Sequence, residues 1–594
     1  MRSFIAACAL GIVAVTSVLA SASDRPNVVL IITDDQGYGD LGCHGNPVLQ
    51  TPHLDELARQ SMRLTDYHVS PTCSPTRAAL QTGRCSNRTG VWHTIMGRSI
   101  LRRNEVTMGQ VFADAGYATG LFGKWHLGDN FPSRPEDRGY NEVLRHGGGG
   151  VGQTPDYWNN AYFGGSYFHN GNPQPFEGFC TDVWFAYARN FIRTQRRIGK
   201  PFFACIATNA PHGPMHSPPA AAAPYAELPS HVANFYGMIA NIDENVGRLR
   251  SFLAQEGLSE NTIFIFTTDN GTAAGGKIFN AGMRGTKGSP YDGGHRVPFF
   301  ISWPAGGLQG PAEIDTLTAH VDVLPTLIDL CEIESPQGVA FDGRSIRPLL
   351  DAAHAQKPAP WPERILVTDS QRVKDPIKWR QSAVMSDRWR LINGEELYEI
   401  TIDPGQQNDV AADNPQVVAE LRAFYESWWQ ELEPGFADDA FIVIGHPAEN
   451  PATLTCHDWI TTRLSPWNQA HIREAMGGEE NTGYWNVEVA TAGEYVIRLR
   501  RWPREADAAL DAALPAGEEV PGERAYRARP GEAVAIRNAK LQIADRSAEQ
   551  SVPAGAKEAR FRLRLPAGPT RLTASFETEA GETLGAYYVV VEKL

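Results

Sequence analysis

Two apolar runs of matching design place the tightest constraint on this chain. NVVLIITDDQG (27–37) and NTIFIFTTDNG (261–271) each stop abruptly at an acidic pair, Asp34-Asp35 in one and Asp269-Asn270 in the other. ATGLFGKWHLG (118–128) and PFFACIATNAPHGP (201–214) are two further runs, ending near Lys124 and His126 and near His212. A strand with one wet face alternates polar and apolar residues, whereas these runs are apolar throughout and so require cover on both faces. Helical segments at 51–64 and 106–116 supply it. The pattern predicts an α/β domain with a mostly parallel sheet flanked by helices. Ligands of such sheets bind beyond the carboxyl ends of the strands, and on this reading that edge gathers three Asp, one Asn, one Lys and two His.

With 594 residues the chain is too long for one core. The first 22 residues read as a cleavable signal peptide: one basic residue, a short apolar run and an Ala20-Ser21-Ala22 ending. Export is expected, to the periplasm or the medium, with no integral membrane association. The α/β domain spans 23–350, and residues 143–178 inside it form a long Gly- and aromatic-rich stretch without strand or helix periodicity. A small antiparallel-sheet subdomain follows at 351–435, with a helix at 415–432, and then a β-sandwich-like accessory domain at 436–594. The net charge of −14 argues against nucleic acid and requires any anion site to be a local cluster of positive groups. Seven cysteines lie beyond the signal segment, without the spacing of a zinc site or a dense disulfide scaffold.

Asp34, Asp35, Asp269 and Asn270 offer oxygen ligands that a hard divalent cation would hold together. Taken one at a time, each pair reads more readily as a turn or capping pair; two similar pairs on one sheet edge reverse that preference and favour the metal. Lys124, His126, His212 and, from the loop RGTKGSPYDGGHRVP, Lys287 would neutralise a tetrahedral anion and relay protons. Each alone reads more readily as a surface lysine or a structural histidine, and their value lies in convergence. Cys73, at the start of the helix in PTCSPTRAALQTGR (71–84), is an inert core thiol, a metal ligand or a nucleophile. Beside a site for a hard cation, an oxygen nucleophile suits the chemistry better than sulfur.

Cys73-Ser74-Pro75-Thr76-Arg77, followed by Leu80-Gln81-Thr82-Gly83-Arg84, resembles the signature of the type I sulfatases of the alkaline-phosphatase-like superfamily. In order along the chain, NVVLIITDDQGYGDLGCHG, GLFGKWHLG, NAPHGP, TTDNG, GTKGSPYDGGHRVP and LYEITIDPGQQND resemble further motifs of that family, over about residues 25 to 435. The resemblance implies that Cys73 is oxidised by a formylglycine-generating maturation enzyme to 3-oxoalanine, whose hydrate attacks sulfur. It implies that Asp34, Asp35, Asp269, Asn270 and the modified residue 73 hold Ca²⁺, with Mg²⁺ the lesser candidate. Lys124, Lys287 and His212 would bind the sulfate, His212 with Lys287 protonate the leaving oxygen, His126 act as base and Arg77 orient residue 73. Two departures from the motif are Thr76, where Ser is commoner, and Asp292, where Glu is frequent.

The implied activity is hydrolysis of a sulfate ester, most naturally on a sulfated carbohydrate. Alternatives are a phosphomonoester or phosphodiester hydrolase of the same superfamily and an inactive glycan-binding homologue, although the intact set of motif residues fits a dead enzyme poorly. His93 in GVWHTIMGR, with Tyr157, Trp158, Tyr162 and Tyr167, are candidates for the leaving-group pocket, set against packing under a long loop. Trp459, Trp467, Trp485 and Trp502 of the last domain are expected in its core, with a glycan platform as the other reading.

Overall fold

Val28, Leu30 and Ile32 of the first strand point into one buried apolar cluster and Val29 and Ile31 into another. That split follows from a side-chain period of two in a sheet covered on both faces. The computed structural model describes residues 25–359 and 361–594; the signal-peptide reading falls outside them. The main sheet has ten strands: β1 (Asn27–Thr33), β2 (Met62–Leu64), β3 (Ala118–Gly123), β4 (Glu142–Arg145), β5 (Phe163–His169), β6 (Asn172–Phe179), β7 (Phe202–Ala207), β8 (Thr262–Thr268), β9 (Phe299–Ser302) and β10 (Ala312–Ile314). Their order is β10-β2-β9-β8-β1-β7-β3-β4-β5-β6. The central block β8-β1-β7-β3-β4 is parallel throughout, and β9, β5 and β6 run antiparallel to their neighbours.

Two expectations are corrected here. The segment 51–64 is not one helix: the helix Pro52–Gln60 stops short, and Met62–Leu64 leaves as β2 to pair with β9. The stretch 143–178 is only partly irregular, because β5 and β6 form a hairpin on the sheet edge. The intervening loop is anchored by the buried Asp156 carboxylate, which accepts the Gly147 and Gly152 N–H groups at 3.1 and 2.8 Å. Its run of glycines allows close approach: a Cβ on Gly149 would fall 2.2 Å from the His126 ring.

The strands Leu366–Asp369, Ser382–Met385, Trp389–Ile392 and Glu396–Glu399 form a small antiparallel sheet. Leu421, Tyr425 and Trp429, on one stripe of the helix Pro415–Leu432, cover it. Beyond residue 440 a six-stranded and a four-stranded sheet enclose a third core, in which Trp459, Trp485 and Trp502 are fully buried. Among the described residues no helix is long and apolar enough to cross a membrane.

Candidate active site

β1 and β8 run in register, Thr33 beside Thr268, so the acidic pairs that end them emerge side by side. The Asp35 N–H donates to Asp269 Oδ1 at 3.1 Å, and Asn270 Nδ2 donates to Asp35 Oδ1 at 2.9 Å. Asp35 and His126 both adopt the left-handed backbone, with φ of 70° and 64°. For residues with a Cβ this conformation costs about 1–3 kcal/mol, and it persists where the surroundings over-determine it.

Positive groups interleave with the carboxylates. Lys124, carried just past β3, places Nζ 2.7 Å from Asp34 Oδ2, and Lys287 Nζ lies 2.5 Å from Asp35 Oδ1. The helix α1 (Cys73–Thr82) is buried along its whole length and projects Arg77 onto Asp269 Oδ2, Nε at 3.0 Å and Nη2 at 2.8 Å. Arg77 Nη1 also donates to the Lys124 carbonyl at 3.1 Å. His212 Nε2 is 3.9 Å from Asp35 Oδ2. Burial raises the Asp34 carboxyl despite Lys124, and burial together with Asp34 lifts Asp269 to about 6. Burial also acts on Asp35, but Lys287, His212 and Lys124 outweigh it and hold this group below the usual carboxylate range.

A cation fits this arrangement. Asp34 Oδ1 and Asn270 Oδ1 are buried acceptors with no hydrogen-bond partner. Ligand atoms of Asp34, Asp35 and His212 lie within 4.8 Å of one another, as do those of Asp34, Cys73 and Asp269. Unpartnered buried oxygens beside crowded carboxylates are what an oxygen-seeking divalent ion compensates. A third cluster, His68, Asp292 and His295, is filled differently: Arg390 Nε donates to Asp292 Oδ1 at 3.2 Å and Nη2 to Asp66 Oδ1 at 2.7 Å. A fixed guanidinium there makes it an ion-paired link between the lysine loop and the small sheet. Thr76 turns away from the site, its hydroxyl donating to the Ser70 carbonyl at 2.9 Å.

Cys73, the first residue of α1, has Sγ 3.4 Å from His126 Nδ1. His126 Nε2 lies 2.8 Å from the Thr94 carbonyl. A carbonyl only accepts, so Nε2 carries the hydrogen and Nδ1 turns its lone pair toward residue 73. The same argument assigns the hydrogen of His212 to Nδ1, 2.6 Å from the Gly213 carbonyl, leaving Nε2 to face the site. Burial, with Lys124 and His457, pushes His126 well below its ordinary value, and burial with Lys287 pushes His212 down to about 3.

Above Cys73 opens a cavity of about 680 Å³, whose wall includes His93, His126, His212 and Lys287. The structure thus brings together Asp34, Asp35, Cys73, Arg77, Lys124, His126, His212, Asp269, Asn270 and Lys287, with His93 in the wall. Tyr157, Trp158, Tyr162 and Tyr167 do not line this cavity: Trp158 stacks edge-on to Trp502, Tyr167 packs on Trp184, and the Tyr162 hydroxyl donates to the His212 carbonyl at 2.6 Å. Ile95 and Met96 come from GVWHTIMGR and Gln153 from 143–178, the two stretches expected at this pocket, whereas residues 372–374 and 461–464 come from places that sequence reasoning did not assign. Trp467 joins them, so the four tryptophans divide into three core residues and one on the cavity.

Comparison with known proteins agrees with this geometry. The sulfatase family model matches residues 26–333, and a model described as N-sulphoglucosamine sulphohydrolase, C-terminal, matches residues 286–428. The chain is similar to arylsulfatase A of Homo sapiens, 33% identical over 368 residues, covering 55% of this chain and 68% of that one. It is similar to N-acetylgalactosamine-6-sulfatase of Rattus norvegicus, 31% identical over 373 residues, with coverages of 58% and 68%. Among solved structures, that of Ps i-CgsB in complex with k-i-k-neocarrahexaose superposes with a TM-score of 0.62 at 26% identity, over 68% of this chain and 92% of that chain.

Proposed function

The chain belongs to the sulfatase family and is a sulfuric ester hydrolase, and from that premise we propose that it removes sulfate from a sulfated carbohydrate with residue 73 as the nucleophilic position. One observation carries the reading: residue 73 lies 3.4 Å from His126 Nδ1, which turns its lone pair toward it, and within 4.8 Å of carboxylate oxygens of Asp34 and Asp269. Asp34, Asp35, Asp269 and Asn270 would hold the cation, Ca²⁺ rather than Mg²⁺ because a larger ion tolerates an irregular oxygen set. Bound there, the ion would supply Lewis acidity at the sulfate, and a formylglycine at position 73, formed by a maturation enzyme, would supply an oxygen nucleophile.

The chain's own groups do the rest. Lys124 and Lys287 neutralise sulfate oxygens, in a site dry enough to strengthen each contact. Arg77 is locked by its fork on Asp269 and fixes the first turn of α1, and with it the position of residue 73. His126 Nδ1 takes a proton from the group at residue 73 and, with Nε2 tied to Thr94, keeps one orientation throughout. His212 directs Nε2 at the cavity. Its neutrality follows from burial and Lys287, and an arriving anion reverses that balance and lets Nε2 carry a proton to the leaving oxygen. His93 lines the leaving-group side. The carbohydrate assignment draws on the cavity's volume of about 680 Å³ and on the neocarrahexaose in the structure of the similar Ps i-CgsB; export, drawn from residues 1–22, suits a polymeric substrate outside the cell.

The test is the unalkylated mass of the tryptic peptide ending at Arg77, together with sulfate release. Conversion of Cys73 to an aldehyde trapped by a hydrazide, with activity lost to a chelator and restored by Ca²⁺, is the expected result. A fully active protein with an intact thiol at position 73 would remove the mechanism.

A further inference from the structure

The accessory β-sandwich forms part of the wall around the reacting centre. Its segment 461–467 stands on the cavity opposite the Thr94–Met96 turn and beside Arg372 and Lys374 of the small-sheet subdomain. The catalytic domain holds this segment in place: the Thr154 N–H donates to the Trp467 carbonyl at 3.0 Å, and the Thr154 hydroxyl donates to the Pro466 carbonyl at 2.6 Å. Close by, the Met96 N–H donates to the His457 carbonyl at 2.9 Å. A wall tied by backbone contacts to the loops it faces is ordered before substrate arrives, which lowers the cost of binding.

The charge of this wall is the second observation. The chain carries a net charge of −14, yet no Asp or Glu side chain is among the residues lining the cavity, whereas Lys287, Arg372, Lys374 and Arg463 are. Lys287 is committed to Asp35 at 2.5 Å. The other three lie farther out and are loosely held. Arg463 is 3.7 Å from an exposed Glu480, Lys374 is 3.9 Å from an exposed Asp375, and the Arg372 side chain makes no ion pair among the described residues. Arg98 nearby shows the contrast, bound to Asp439 at 2.5 Å and buried. Long-range repulsion should empty such a rim of anions in so acidic a protein; uncompensated local cations reverse the sign of the field. The half-buried Trp467 ring, held edge-on between His471 and Tyr526, offers an apolar face beside them. An aromatic face next to cationic donors matches a sugar ring that bears an acidic substituent.

We infer that Arg463 and Trp467 of the β-sandwich, with Arg372, form a leaving-group subsite for a second anionic group on the substrate, next to the sulfate that is hydrolysed. The inference rests on the carbohydrate reading above and deepens it: the preferred substrate is a saccharide carrying at least two acidic groups, the second a sulfate ester or a uronate carboxylate. Arg463 and Arg372 are exposed, so removing either side chain leaves no buried void.

The experiment compares kcat/KM of the full-length enzyme on four probes: 4-nitrophenyl sulfate, a monosulfated neutral disaccharide, the same disaccharide with a second sulfate, and a monosulfated disaccharide bearing a uronate. Wild type is expected to favour the doubly anionic sugars over the singly charged one by about tenfold, a preference that shrinks as salt screens the rim. Arg463→Ala and Arg372→Ala should each cut that ratio about fivefold, through KM rather than kcat, with Arg463→Lys restoring part of it and Arg463→Glu inverting it. Trp467→Ala should lower kcat/KM on all three sugars alike. Which doubly charged sugar leads identifies the second group as sulfate or carboxylate. Equal turnover of singly and doubly charged sugars, or a ratio unmoved by the arginine variants, overturns the inference and leaves the carbohydrate reading standing. Sulfate release from the aryl ester but from none of the sugars overturns both.

Discussion

The carboxyl edge of the catalytic sheet and the 461–467 wall of the β-sandwich face one cavity but are built on opposite rules. At the edge every charge is committed, and all but the half-buried Lys287 are buried: Lys124 to Asp34, Lys287 to Asp35, Arg77 to Asp269. Buried charges survive only when paired or bound to an ion, so the edge has one possible arrangement and little tolerance for change. On the wall Arg463, and beside it Arg372 and Lys374 of the small-sheet subdomain, are exposed and loosely held. Solvated cations cost little to keep and adapt to whatever arrives. On the proposed reading, chemistry belongs to the dry half of the site and discrimination between substrates to the wet half.

The sharpest break of this contrast is at His126. His126→Ala should lower sulfate release by about 10²–10⁴-fold on aryl and sugar esters alike, since it removes the base and spares the wall. A loss confined to sugars would mean that the two halves have been assigned the wrong way round. Next comes the scaffold behind the wall. Trp485 is fully buried and its Nε1 donates to the Thr455 carbonyl at 2.8 Å. Trp485→Ala should cost about 3–5 kcal/mol in denaturant unfolding; a midpoint that does not move would show that the sandwich core adds nothing to stability.

A smaller effect is expected where the sandwich touches the catalytic loops. Glu523 Oε2 accepts the Met215 N–H at 2.8 Å and so pins the segment after His212. Glu523→Ala should cost about 1 kcal/mol and lower kcat/KM roughly fivefold on every probe; an effect on sugars alone would place Glu523 with the wall. The smallest is Thr76→Ser. The hydroxyl that donates to Ser70 is kept and only a buried methyl is lost, at about 0.8 kcal/mol. Aldehyde formation at position 73 should be unchanged in the peptide mass, and a failure there would make the Thr76 methyl part of the recognition motif.

The two halves were also unequally legible. β1 and β8 could be read from their composition, because a strand buried on both faces has to be apolar at every position and the acidic pair that ends it breaks that rule visibly. Asp34, Asp35, Lys124, His126, His212, Asp269 and Asn270 lie within a few positions of such strand ends, so locating the strands located them, whereas Arg77 sits on a helix and Lys287 in a loop. The short β2 was absorbed into the preceding helix in that reading, since three residues of apolar-polar-apolar pattern also fit a helical turn. Trp158, Tyr162 and Tyr167 of 143–178 read as a pocket but are packed into cores, because an exposed and a buried aromatic have the same sequence signature.

By itself, then, the sequence determined the four long apolar strands and their polar ends, a consequence of periodicity, while the Cys73 motif was legible through its resemblance to a family signature. Only the tertiary structure decided that His126 turns its Nδ1 lone pair toward residue 73, since Thr94 sets that tautomer from 32 positions away. It alone brought Arg372, Arg463 and Trp467 over Cys73, from as far as 394 positions along the chain. Exposed residues on a wall carry no periodic signal, and their approach is fixed by the docking of one packed core on another.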